Sequence, residues 1–158
     1  MVQLIKLLEI LTAAKVDFVL VGGAAAYAHG SSMVTQDLDI CGDLSQENLV
    51  RLAQALEPYH PKHRMVPEKP AFTKAQASRE SFKNIYLTTD IGQVDFLGTI
   101  KGIGNFTLVE GGSEVISMGD FSFKILSISK LIEAKQAMGR PRDLETISIL
   151  KQIIDETK

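Results

Sequence analysis

The sequence predicts an α+β protein, close to α/β, in which a mixed central sheet is flanked by helices. Short apolar runs typical of buried strands, such as Phe18–Val21, alternate with longer segments in which apolar residues recur at helical spacing. The chain has 158 residues, 45% of them hydrophobic, which is enough for one ordinary domain with a core. We therefore predict a single domain over residues 1–158, with the sheet in about 1–125 and C-terminal helices in about 127–156.

The N-terminal part predicts a helix, a strand, a helix and a second strand. The apolar face of the first helix is formed by Leu4, Leu7, Leu8, Leu11 and Ala14. Phe18–Val21 is a continuous apolar run that the glycine pair Gly22-Gly23 ends, and residues 24–28 favour a helix that packs closely. Asp37 to Cys41 then reads as a second strand.

A helix and a proline-rich segment follow. Asp43 or Ser45 can cap the helix, whose apolar side carries Leu49, Leu52, Ala53 and Leu56. The next thirteen residues hold four of the five prolines and predict a loop or a loop with a short extended piece. The loop is basic, with Lys62, His63, Arg64 and Lys69. Two interpretations stay open, a solvated loop and a flap that faces a substrate.

The C-terminal half predicts more strands and two closing helices. Segments 85–88 and 93–97 flank the turn-rich Asp90-Ile91-Gly92 and indicate an antiparallel hairpin, and residues 114–116 and 121–125 predict two further strands. The last two helices are predicted to bury Ile128, Leu131, Ile132 and Met138, and then Leu144, Ile147, Leu150 and Ile154. Pro141 suits the first turn of the last helix.

Composition excludes several classes of protein. Lys+Arg 17 against Asp+Glu 19 gives a net charge of -2, which argues against a nonspecific DNA coat. The single cysteine, Cys41, excludes an internal disulfide and a cysteine zinc cluster, and its apolar neighbours predict a buried, inert thiol. Neither a membrane-spanning run nor a signal peptide is recognisable. We expect a cytoplasmic protein with no membrane partner.

Three aspartates are the candidate catalytic and metal-binding residues. Asp37 and Asp39 project from the same face of their strand, whereas Leu38 and Ile40 face the core. Two carboxylates about 4 Å apart repel by about 4 kcal/mol at an effective dielectric near 20, so a cation between them is one way to stabilise the pair. Mg²⁺ prefers oxygen ligands and is commonly shared between carboxylates and substrate phosphates. Asp95 is a third acid if the predicted hairpin lies beside this strand.

The glycine pair complements the acids. At a strand-to-helix turn, Gly22 and Gly23 leave backbone amides open to phosphate oxygens. No Gly-Lys-Ser/Thr follows, so the pair is not a P-loop, and no third glycine follows as in a dinucleotide-binding fingerprint.

An apolar-Gly-Gly pattern, an Asp-x-Asp between apolar residues and a later lone Asp together resemble the DNA polymerase beta nucleotidyltransferase superfamily. The chain is most similar to its small bacterial and archaeal members, which include minimal, abortive-infection toxin-type and antibiotic nucleotidyltransferases. Thr35-Gln36-Asp37-Leu38-Asp39 matches their Thr-x-Asp-apolar-Asp core, and the segment from Leu131 to Leu144 matches a helical segment that often follows the catalytic sheet. The resemblance covers most of the chain and implies the nucleotidyltransferase fold.

The resemblance also implies an activity and its residues. The reaction is the magnesium-dependent transfer of a nucleoside monophosphate from an NTP such as ATP to an acceptor hydroxyl, with release of pyrophosphate. By position, Asp37 and Asp39 bind two Mg²⁺ ions, while Asp95 binds one ion and serves as base. Gly22 and Gly23 hold the phosphates in this scheme. Lys135 and Arg140 are either contacts for the triphosphate or acceptor, or solvated helix charges.

Two departures from the family pattern leave an alternative open. Many relatives have Ser where this chain has Gly23, and Ser31 or Ser32 is expected to compensate. An Arg or Lys often precedes the Thr-x-Asp segment, where this chain has Met33-Val34. The alternative is a non-catalytic nucleotide- or partner-binding module, as in a toxin–antitoxin pair, and a third interpretation is a structural protein. The expected partners are an NTP and an acceptor that is a small molecule, a protein or an RNA end. A partner protein or a homodimer is a further expectation.

Overall fold

The structure is a computed structural model that describes residues 3–32 and 36–157. Met33, Val34 and Thr35, which the sequence comparison with the family uses, lie outside the described residues. The helices are α1 (Leu4–Ala13), α2 (Gly22–Ala28), α3 (Gln46–Leu56), α4 (Lys74–Arg79), α5 (Phe106–Gly111), α6 (Ile128–Met138) and α7 (Pro141–Glu156). The strands are β1 (Phe18–Val21), β2 (Asp37–Gly42), β3 (Lys62–His63), β4 (Asn84–Thr89), β5 (Gly92–Leu97), β6 (Thr99–Ile100), β7 (Gly104–Asn105), β8 (Ser113–Met118) and β9 (Phe121–Leu126).

Seven of these strands form one mixed sheet in the order β3-β4-β5-β2-β1-β9-β8, and β6 and β7 form a separate ladder. The central strand β2 pairs antiparallel with β1 and parallel with β5, and β1 pairs parallel with β9. The hairpins β4–β5 and β8–β9 are antiparallel. Helices pack against this sheet, so the predicted α+β class with a mixed central sheet is confirmed.

The register of the central strands brings distant parts of the chain together. Asp39 lies opposite Val21, the last residue of β1, and on its other side it lies opposite Asp95 of β5. Leu38, between the two acids, and Ile40, after them, are fully buried. Asp37 and Asp39 are only partly buried. The predicted alternation along β2 is therefore confirmed, and it directs both acids to the same face of the sheet as Asp95.

Local sequence signals account for most helix boundaries. The Ser45 side chain accepts a hydrogen bond from the Asn48 backbone N–H at 3.3 Å, so Ser45 and not Asp43 caps α3. Pro141 occupies the first turn of α7 as predicted. Helix α4 and helix α5 were not predicted from the sequence. Each has six residues and buries one side chain, Ala77 or Val109, so neither carries an apolar period to recognise.

Two predicted core residues of the closing helices are exposed. Leu144 of α7 is 58% exposed and Met138 of α6 is 42% exposed, so both predictions were wrong. The buried face of α7 instead consists of Asp143, Thr146, Ile147 and Leu150. An acid occupies this face because it has two cationic partners there, which an apolar period does not reveal.

Cys41 is fully buried, as predicted, and burial raises the pKa of its thiol to about 12. Within residues 3–32 and 36–157, no helix combines the length and apolar character needed to cross a bilayer. The division into a sheet-forming part of about 1–125 and helices of about 127–156 stays a prediction.

Candidate functional site

The three predicted acids meet in space. Asp37, Asp39 and Asp95 each offer a carboxylate oxygen, and these oxygens all lie within 4.8 Å of one another. Asp37 and Asp39 come from β2, and Asp95 comes from the parallel neighbour β5, where it is only 8% exposed. We call this cluster the acidic triad. The parallel pairing of Asp39 with Asp95, which lies 56 positions further along the chain, creates it.

The electrostatics of the triad favour a bound cation. Burial raises the pKa of Asp39 from 3.8 to about 7, and the negative charges of Asp95 and Asp37 add to that rise. Lys135 acts in the opposite direction. A pKa near neutrality means that full ionisation of the triad is unfavourable in the protein alone. Carboxylate oxygens at this spacing are the donor set that a hard divalent ion such as Mg²⁺ takes, so the residues present fit that ion.

Gly22 is required by its contact with the triad. Its φ of +65° lies in the left-handed region, and a Cβ built at this position would collide with Oδ2 of Asp39. The Cβ and Cγ atoms of Asp39 lie 3.0 and 3.1 Å from the same point, so rotating the carboxylate would not make room. The structure thus gives Gly22 a role in admitting Asp39. Gly23 lies in the first turn of α2, and the predicted role of both glycines in holding phosphates stays a prediction.

A cavity of about 500 Å³ opens beside the triad. Gly22 and Asp39 line it together with the predicted cations Lys135 and Arg140 and with Lys101. Apolar side chains from β5, β9 and α6, including Leu97, Leu126, Leu131 and Met138, form other walls. Ser31 is buried and Ser32 is exposed, and neither is among the described residues that line the cavity. The cavity therefore combines apolar walls with one acid of the triad and three cationic side chains.

Asp143 holds the two predicted cations in place. Arg140 Nε donates to Asp143 Oδ2 at 2.6 Å and Arg140 Nη2 donates to Oδ1 at 3.1 Å, while Lys135 Nζ lies 3.5 Å from Oδ1. The hydrogen bond from Arg140 is the main cause that lowers the pKa of Asp143. The Asp143 side chain is fully buried and the Lys135 side chain is 14% exposed, so Lys135 is not a solvated helix charge. No signal beyond the family-like segment pointed to Asp143.

Arg64 is a site residue that sequence reasoning missed. Its Nη1 and Nη2 donate to Oδ1 and Oδ2 of Asp95, the second bond at 3.1 Å, so the guanidinium covers both oxygens of that carboxylate. Arg64 lies in the proline-rich segment for which a solvated loop and a flap facing the site were both open. At Arg64 that segment faces the site. Its basic character was the available signal, and the pairing of β3 with β4 that directs Arg64 inward is a long-range contact.

Comparison with solved structures shows the fold. The chain is similar to the crystal structure of a "putative nucleotidyltransferase" from Thermotoga maritima, with a TM-score of 0.59 and 17% sequence identity. The match covers 99% of this chain and 96% of that chain. Comparisons with protein-family models and with curated proteins find no match. At this identity the likeness concerns the backbone architecture, and that architecture agrees with the fold that the Gly-Gly and Asp-x-Asp patterns predict.

Proposed function

We propose that this protein is a nucleotidyltransferase that depends on a divalent cation, with Mg²⁺ as the expected ion. It would transfer a nucleoside monophosphate from an NTP to an acceptor hydroxyl and release pyrophosphate. The observation that carries this proposal is the convergence of Asp37, Asp39 and Asp95 within 4.8 Å at the edge of a cavity of about 500 Å³. The fold shared with the Thermotoga maritima protein agrees with it.

Each residue has a stated part in this reaction. Asp37, Asp39 and Asp95 would hold the cation, which when bound neutralises phosphate charge and lowers the pKa of the attacking hydroxyl. Lys135 and Arg140 face the same cavity and would orient the triphosphate by charge, from positions that Asp143 fixes. Asp95 is the proposed acceptor of the proton from the hydroxyl, which belongs to a small molecule, a protein or an RNA end.

Thermal unfolding tests the binding part of the proposal. Adding ATP or another NTP together with Mg²⁺ should raise the melting temperature, because a ligand that binds only the folded state stabilises it. The double variant Asp37→Asn with Asp39→Asn should lose that rise. Asp90→Asn is the matched control, since Asp90 is an exposed acid at the β4–β5 turn whose partner is His60. A wild-type protein that shows no rise with any NTP and Mg²⁺ would contradict the proposal.

A non-catalytic nucleotide- or partner-binding module is the second candidate, and Arg64 is the observation that favours it. The proposed base Asp95 already accepts two hydrogen bonds from this guanidinium. Incubation with α-labelled NTPs and a cell extract separates the candidates. Label on any acceptor that disappears in Asp95→Asn supports the enzyme, whereas binding without any transfer supports the module.

A further inference from the structure

Arg64 lies against the acidic triad as a fixed cation. Besides its two hydrogen bonds to Asp95, Nη1 donates to the carbonyl oxygen of Leu87 at 3.3 Å, and the guanidinium lies 5.6 Å from the ring centroid of Tyr86. The side chain is 19% exposed. Tyr86 is the cross-strand neighbour of Asp95, so strand β4 supports the guanidinium directly over the acid. These contacts distinguish Arg64 from a mobile surface arginine.

The backbone of Arg64 is anchored as firmly as its side chain. Its N–H donates to the carbonyl of Tyr86 at 3.0 Å, and the preceding His63 pairs with Leu87 in the β3–β4 ladder. The His63 ring is buried between Phe72 and Phe82, and its Nε2 hydrogen bonds with Gln76 Oε1 at 2.7 Å. Arg64 is therefore pre-organised by the fold before any ligand arrives.

Charge limits what else can bind at Asp95. The triad carries at most three negative charges, and Arg64 and one divalent ion supply three positive charges. A second divalent ion on Asp95 would lie beside the guanidinium that already engages both oxygens of this carboxylate. At about 5 Å the repulsion between a divalent ion and a unit charge weakens binding by about tenfold even at the dielectric of water, and by more in a partly buried site.

We propose that Arg64 occupies the place of the second cation at Asp95, so that the nucleotide-free protein binds one divalent ion, held chiefly by Asp37 and Asp39. This inference rests on the proposed function, and it narrows the expectation of two ions that the family resemblance implies. Arg64 is a positioning residue in this account, because it acts through Asp95 and not on a substrate.

Counting bound ions tests the inference without an assay of activity. Mn²⁺ is titrated into the nucleotide-free protein, and the free ion is followed by electron paramagnetic resonance. The wild type should bind one ion per chain. Arg64→Gln should bind two, with the affinity of the second site raised at least about tenfold. Arg64→Lys keeps a positive charge but lacks the two guanidinium nitrogens that donate to both oxygens of Asp95. This variant should still bind one ion. Circular dichroism verifies that each variant is folded.

Arg142→Gln is the matched control, since it removes the same charge from an exposed side chain of α7 that is not among the described residues lining the cavity. This variant should still bind one Mn²⁺ ion per chain. Two ions in the wild type or in Arg64→Lys, or one ion in folded Arg64→Gln, would overturn the inference and leave the proposed function intact. No bound ion in the wild type would overturn the inference, and the proposed function would then be decided by the thermal shift with NTP and Mg²⁺. If Arg64→Gln does not fold, Arg64→Met, which keeps the length of the side chain and removes the charge, takes its place and should also bind two ions.

Discussion

Among single residues, Asp39 is constrained by both neighbouring strands and by Gly22. It lies between Val21 and Asp95 in the sheet, and its carboxylate lies where the side chain of any residue but glycine at position 22 would be. Its pKa is raised because it is buried and because Asp95 and Asp37 carry like charge. These features predict separate effects on stability and on cation binding.

Gly22→Ala should destabilise the protein and weaken cation binding. Alanine would have to adopt the φ of +65° found at this position, which costs about 1–2 kcal/mol. The collision of its Cβ with Asp39 adds roughly 1–3 kcal/mol. Gly119→Ala is the matched control, because Gly119 has φ +60° and no atom within 4 Å of the added Cβ. Urea unfolding should show the larger loss for Gly22→Ala. Equal losses for the two variants would show that the contact with Asp39 is not tight.

Asp39→Asn should stabilise the cation-free protein at pH 8. The folded-state pKa of Asp39 is raised from 3.8 to about 7, so the folded protein binds more protons than the unfolded chain between about pH 4 and 7. Stability from this group is thus complete below about pH 4 and is lost as the pH rises to about 7. The amide removes the loss, so the free energy of unfolding at pH 8 should increase by roughly 1–3 kcal/mol.

Unfolding of both proteins in the presence of a chelator, from pH 4 to pH 8, measures this effect. The two proteins should be similar in stability at pH 4 and should diverge as the pH rises. An Asp39→Asn variant that is less stable than the wild type at pH 8 would show that another cation already compensates the triad.

Secondary-structure elements were predictable where a period or a cap is local. The strands β1 and β2, the hairpins and the helices α1, α3, α6 and α7 follow from apolar spacing and from caps such as Ser45 and Pro141. Short helices without an apolar face, such as α4, were missed. The orientation of α7 was partly wrong because its inward face carries Asp143, whose partner Lys135 belongs to another helix.

Asp143→Asn tests the junction between α6 and α7. The amide loses the charge that Lys135 and Arg140 share. Breaking a fully buried pair costs about 3–5 kcal/mol, but the Arg140 side chain is 42% exposed, so stability at pH 7 should fall by roughly 1–3 kcal/mol. Because the pKa of Asp143 is lowered, its contribution is present above the unfolded pKa and is lost as the pH falls through the folded pKa. The difference from the wild type should therefore narrow below about pH 4.

Thermal unfolding at pH 7 and at pH 3 measures both predictions. Glu145→Gln is the control, since Glu145 is exposed on the same helix and the substitution changes the same charge. Equal melting temperatures for Asp143→Asn and Glu145→Gln at pH 7 would contradict the role assigned to Asp143.

Contacts between distant parts of the chain build the features of the candidate site that the sequence could not predict. Asp37 and Asp39 were recognisable from their spacing, but their meeting with Asp95 depends on β2 and β5 being parallel neighbours, which no local pattern specifies. The same holds for Arg64, which the pairing of β3 with β4 directs inward. The resemblance to a nucleotidyltransferase superfamily supplied that long-range information for Asp95, and the fold shared with the Thermotoga maritima protein agrees with it. The resemblance gave no such information on Arg64, or on Asp143 as the residue that holds Lys135 and Arg140.

We propose that the acidic triad holds one cation that a bound nucleotide shares. The most direct measurement is an anomalous difference map from crystals grown with Mn²⁺ and a non-hydrolysable NTP analogue. We expect a manganese peak within about 2.5 Å of carboxylate oxygens of Asp37 and Asp39, with the triphosphate in the cavity that Lys135 and Arg140 line. A map with bound nucleotide and no manganese at the triad, or with manganese only elsewhere, would contradict this cation site.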